Sequence, residues 1–139
     1  VFCGAAIELG DGRVVTGRNS PRMHAASALV INAVKQLAGV PAEIHLLAPS
    51  IIESVARMKR DVLDQKALSL DVTETLFALG VSIGDNPMAK LFVEKLKELR
   101  GCDVHMTHIP TPGDERGLRR LGVNLTSDPV FASDRLFVA

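Results

Sequence analysis

The sequence predicts an α/β domain: a three-layer α/β/α sandwich with an N-terminal β-hairpin, then a mixed sheet with a parallel C-terminal crossover. Three observations lead there. A short β-type hairpin opens the chain around Asp11-Gly12. Amphipathic stretches at helical spacing then alternate with short apolar runs. The last unit reads strand, helix, strand over residues 104–109, 114–121 and 123–126, and parallel strands joined by a crossover call for helices on both sheet faces.

In chain order, residues 2–9 are small and apolar, Asp11-Gly12 has the composition of a two-residue turn, and residues 13–16 supply a β-branched return strand. Pro21 disfavours helix at the residue before it, and Asn19 or Ser20 can accept the first free amides, so a helix should begin within residues 21–24. Met23, Ser27, Val30, Val34 and Leu37 then repeat at helical spacing until Gly39. Ile44-His45-Leu46-Leu47, bounded by Pro41 and Pro49, reads as a buried strand. The helix opening at Pro49-Ser50 should bury Ile52, Val55, Ala56 and Val62 or Leu63, with Arg57, Lys59, Arg60 and Asp61 toward water.

Asp71 is a candidate cap for a helix through Leu76, Leu79 and Ile83. Pro87 opens another, carrying Leu91, Val93, Leu96 and Leu99 until Gly101. The strand over 104–109 leads through a loop to a short basic helix, stopped by Gly122, and to the final strand. One domain over 1–127 and a C-terminal arm over 128–139 follow as the expected organisation.

Composition excludes several classes. Within 139 residues, 16 basic and 16 acidic side chains cancel, which leaves no electrostatic footprint for nucleic acid or an anionic membrane. With no Trp or Tyr and only five Phe, any base-stacking platform is further weakened. No apolar run approaches the roughly 20 residues that span a bilayer, and no leader pattern stands at the N-terminus, so the expected location is cytoplasmic. Cys3 and Cys102 form no CxxC and read as two reduced, buried thiols. Gly12 and Gly17 stand at P-loop spacing, but Arg18-Asn19 replaces the Lys and hydroxyl residue, and the segment lies in a hairpin.

Two resemblances arise from particular residues. The element order, with Asp11-Gly12, Thr16-Gly17-Arg18-Asn19 and a helix opening at Met23-His24-Ala25-Ala26, resembles the cytidine-deaminase-like fold. That fold carries a His-Ala-Glu zinc motif on this helix and a Pro-Cys-x-x-Cys where Asn86-Pro87-Met88-Ala89-Lys90-Leu91 stands. Here Ala26 replaces the acid, and Met88 and Leu91 replace the thiolates. One imidazole cannot hold a catalytic zinc, so neither a metal site, a cofactor nor zinc-dependent deamination is expected.

The second resemblance spans nearly the whole chain. Ala5-Ala6-Ile7-Glu8-Leu9, Val15-Thr16-Gly17, Ala26-Ser27-Ala28, Asn86-Pro87-Met88-Ala89-Lys90, Gly101-Cys102 and Leu121-Gly122-Val123-Asn124-Leu125-Thr126 resemble the C-terminal part of the bacterial family of domain of unknown function 1846. The resemblance implies a subdomain whose family members carry a large N-terminal portion with a glycine-rich, P-loop-like segment.

The functional expectation is therefore a non-catalytic subdomain that docks on a larger N-terminal domain or another chain and helps to shape a site there. Self-association is a further option. The alternative is a binder of a nucleotide-like or anionic ligand, or a metal-free enzyme. It would use a pocket near His24, Ser27 and Asn86, with Thr107 as a further candidate contact, because helix N-termini favour anions. His105 and His108 flank Thr107 on its strand, and alternation puts Thr107 and His108 on opposite faces. Asn32 and Lys35 are read as a solvated helix face or a partner contact, and Ser27 as a hydroxyl bonding back to the preceding turn. No nucleophile, base and orienting acid can be assembled by spacing.

Overall fold

A computed structural model describes residues 3–82 and 87–131. It shows an α/β domain built on a four-stranded mixed sheet of order β2-β1-β3-β4. The strands are β1 (Gly4–Glu8), β2 (Val14–Arg18), β3 (Asp103–Met106) and β4 (Asn124–Ser127). Strand β1 runs antiparallel to both β2 and β3, and β3 pairs in parallel with β4. The N-terminal hairpin and the parallel C-terminal crossover are thus as the sequence predicts.

The hairpin turn is longer than two residues. Leu9 and Arg13 close it through Leu9 N–H to Arg13 O at 2.8 Å, so Gly10, Asp11 and Gly12 form a three-residue loop. Gly12 takes φ 88°, a conformation that costs an L side chain, and this is where such a loop places its glycine.

Among the described residues five α-helices follow: α1 (Ala25–Ala38), α2 (Pro49–Asp61), α3 (Val72–Ser82), α4 (Pro87–Leu96) and α5 (Pro112–Leu121). Proline at the first position of α2 and α5 gives up an amide that would have had no helical partner. Asp71 caps α3 as expected: its Oδ1 accepts from Glu74 N–H at 2.8 Å, and Glu74 Oε1 accepts from Asp71 N–H at 3.0 Å. That reciprocal pair satisfies two amides at once.

Three expectations are corrected. Residues 43–48 form no strand. Leu46 and Leu47 are buried, but Ile44 and His45 are exposed, and the segment turns through Ile44 N–H to Pro41 O at 3.2 Å. In α2, Lys59 is buried, not solvated, and donates to Ser69 O and Glu74 Oε1 at 2.9 Å, while Val62 and Leu63 are exposed. In α4 the buried apolar residue is Phe92, and Leu91 is turned outward. The expected continuation of α3 at Ile83 lies outside the described residues.

The core lies between the sheet and helices. Ala5, Ile7, Val15, Val104 and Met106 point into it from the strands, against Leu29, Val30, Val34, Val72, Leu79, Phe92 and Leu118. Helix α1 packs on β1 and β2, α4 against α1 and α3, and α3 against α5, so these helices share one side. The alternate residues Glu8, Val14, Thr16, Arg18, Asp103, His105, Thr107, Asn124 and Thr126 are all exposed on the opposite face. Among the described residues no helix covers that face.

Candidate functional site

The beginnings of α1, α3 and α5 converge on one buried carboxylate. Asp114 stands in the first turn of α5, after the cap Thr111, whose Oγ1 accepts from Asp114 N–H at 3.3 Å. Its own side chain is 1% exposed and leaves its helix altogether. Oδ1 accepts from Val72 N–H of α3 at 2.9 Å, and Oδ2 lies 2.9 Å from Nδ1 of His24, the residue that precedes α1. The positive end of α3 and the imidazole thus share one acceptor. Thr73 Oγ1 adds a bond to Gly113 O at 2.8 Å across the same junction.

A carboxylate only accepts, so His24 donates from Nδ1 and its other nitrogen, Nε2, is left without a partner among the described residues. Burial works against the charged ring, but the hydrogen bond and charge of Asp114, helped by Asp71 and opposed by Lys59, outweigh it and raise the His24 pKa above 6.5. His108 lies on the same side of the sheet. Burial pushes its pKa below 6.5, with Asp114 pulling upward and His24 adding to the depression. Burial also raises the Asp71 carboxyl, against the hydrogen bond from Glu74 N–H.

Of the four residues singled out in the sequence, His24 and Ser27 come together at the start of α1. Ser27 is wholly buried, and its Oγ donates to Leu70 O at 2.9 Å, not to the preceding turn of its own helix. Leu70 also takes the His24 N–H at 2.9 Å, so both residues fasten α1 to the strand-like segment before α3. Thr107 stands apart on the exposed sheet face, where its Oγ1 accepts from Gly4 N–H at 2.9 Å. It touches His108 Nδ1 at 3.4 Å around the strand end. Asn86 lies outside the described residues.

Ala26 is fully buried in the core, while Met88 and Leu91 are exposed. No group of three or more His, Cys, Asp or Glu side chains suited to a metal occurs among the described residues. The two residues read as a solvated face are also engaged: Lys35 is buried with its Nζ on Ala42 O at 3.0 Å, and Asn32 holds the β2 edge. Sequence reading missed Asp114. The Thr111-x-x-Asp114 spacing signals a helix start, but nothing local says that the carboxylate turns away to serve two other helices.

The exposed sheet face is the larger feature. Gly4 and Ala6 of β1 form its low centre, between Thr16 and Arg18 of β2 and His105 of β3 with Thr107 just after it, and an open depression of about 610 Å3 lies there. His105 is held by Thr126 Oγ1 at 2.7 Å and Asp128 Oδ1 at 3.1 Å. At the other end, Glu8 pairs in register with Asp103.

A mixed sheet with helices packed on one side, an exposed opposite face and a His–Asp pair between helix ends defines an α/β module. Residues 3–137 match the family described as Domain of unknown function DUF1846, C-terminal, and the chain belongs to that family. It is 42% identical over 137 residues to a UPF0371 protein of Clostridium tetani, covering 99% of this chain and 27% of the relative. A UPF0371 protein of Corynebacterium aurimucosum is 45% identical over 128 residues, covering 92% and 26%. One from Fusobacterium nucleatum is 39% identical over 132 residues, covering 95% and 26%. The chain thus spans about a quarter of the length of these relatives. No helix among the described residues is long and apolar enough to cross a membrane.

Proposed function

We propose that this chain is a non-catalytic C-terminal module that docks on the larger, preceding portion of a longer polypeptide, joined or separately encoded, and helps to shape a site there. The observation that carries this reading is the surface left open in a domain with a complete core of its own. One sheet face is uncovered, and on α3 Phe77 and Val81, one helical turn apart, are 73% and 70% exposed. Contiguous exposure of this kind marks interaction surfaces. Relatives about four times as long supply a partner of suitable size. The test mixes the 139-residue chain with the separately expressed preceding portion and follows sedimentation and melting. A complex forms and the melting midpoint of the chain rises with partner concentration, as binding to the folded state requires. Two independent species with unchanged midpoints refute the reading.

A second reading is favoured by His24. Its Nε2 has no partner among the described residues, and its charge is supported by Asp114. A nucleotide-like or other anionic ligand would meet that ring and the amides at the start of α1, near Ser27. Inorganic phosphate, nucleotides and phosphosugars are then expected to raise the melting midpoint of the chain, and a His24→Gln variant to lose the rise. A flat response to all three removes this reading.

A further inference from the structure

The exposed sheet face has the form of a helix seat. In the register of the sheet, Gly4 lies opposite Arg18, Ala6 opposite Thr16 and His105, and Glu8 opposite Val14 and Asp103. The middle strand therefore presents a hydrogen and a methyl, while its neighbours carry taller side chains, so β1 is the floor of a trough and β2 and β3 are its walls. Strands sit about 4.8 Å apart, which sets the walls at about twice that distance. A helix with its side chains is about 10 Å across.

Three further observations say what belongs there. The β3–β4 pair is parallel and joined by α5 on the packed side, and parallel pairing is typical of sheets covered on both faces, whereas the antiparallel β2–β1–β3 part does not by itself require a cover. Glu8 and Asp103 stand side by side, an arrangement that costs energy when nothing positive lies between them. At the opposite end, the Arg18 side chain makes no hydrogen bond or ion pair with a described residue, while its backbone pairs with Gly4. The trough is thus small and uncharged in the middle, acidic at one end and basic at the other. The chain, meanwhile, amounts to about a quarter of its relatives' length.

We infer that the trough along β1 receives a helix from the preceding portion of the longer polypeptide. That helix lays a stripe of small or apolar residues over Gly4 and Ala6, with a basic side chain over Glu8 and Asp103 and an acidic one over Arg18. This rests on the docking role proposed above and adds where docking occurs and what makes the contact.

The experiment is cysteine labelling with a maleimide, on the 139-residue chain and on the full-length polypeptide that carries it. Thr16→Cys reports on the trough, Phe77→Cys on the exposed side of α3, and Arg120→Cys on the outer side of α5. The native thiols of Cys3 and Cys102 are buried, and burial raises both pKa values, so they contribute a slow background. The expected result is labelling at Thr16→Cys at least 10-fold slower in the full-length polypeptide than in the chain, with Arg120→Cys unchanged. Pairing Arg18→Glu with Glu8→Lys is expected to restore fast labelling at Thr16→Cys.

Protection of Phe77→Cys alone would overturn the trough as the seat and leave the docking role standing. Protection of neither site in the full-length polypeptide would overturn both. Protection of Thr16→Cys already in the isolated chain would assign the trough to residues of the chain itself. If that protection rises with concentration, it would assign the trough to a second copy. Either result overturns the inference.

Discussion

One residue, Asp114, joins three helices, and its chemistry predicts a pH signature. A group whose folded pKa is raised stabilises the fold below its ordinary value and loses that contribution as pH rises through the folded pKa. For His24, raised above 6.5, the contribution is therefore present in mild acid and declines on the alkaline side. His108, depressed below 6.5, runs the other way, with its contribution lost as pH falls. Comparing wild type with His24→Gln largely cancels the His108 part. The melting gap between them is expected to be widest below pH 6.5 and to narrow as pH rises on the alkaline side of that value. A gap that stays constant across that range would show that His24 is not held charged by Asp114. The sequence showed His24 at the start of a helix, but not its acid, which lies 90 positions away.

Elements meet closely where a glycine allows it. A Cβ on Gly17 of β2 would run into Leu29 N and into Ala25 O at 2.7 Å, both backbone atoms of α1. Neither can yield without moving the helix, so Gly17→Ala should shift α1 off the sheet. The expected loss is about 2 kcal/mol or more, read as a midpoint lower by about 10 °C. An unchanged midpoint would mean that α1 tolerates displacement there. Sequence periodicity located this helix and its end at Gly39, as well as the starts of α2 and α4 at proline. It erred at residues 43–48, because two buried leucines between prolines carry the same local signature whether the backbone pairs or turns. It erred again at Lys59, where a long side chain folds back onto the Ser69 carbonyl and the Glu74 carboxylate, a destination set by tertiary contact.

At the scale of the molecule, the sheet and helices bury a core on one side and leave a polar, small-centred face on the other. A polar face suits the contact between domains of one chain, which is more polar than an obligate interface. By mass action, a partner that binds only the folded module raises its apparent stability, which is why melting in the presence of the preceding portion tests the proposed role. The exposed Phe77 and Val81 offer a second surface, and the labelling experiment separates it from the trough.

Hydrophobic spacing, prolines and glycines determined the α/β class, the opening hairpin, the helices and the closing crossover, because these depend on neighbours a few residues apart in the chain. Tertiary structure alone decided that Asp114 pairs with His24, that Ser27 fastens Leu70, and that Lys35 and Lys59 are buried. It alone left β1 as the floor of an open trough. These depend on which segments the fold brings together across tens of residues, and no local pattern in the chain encodes that.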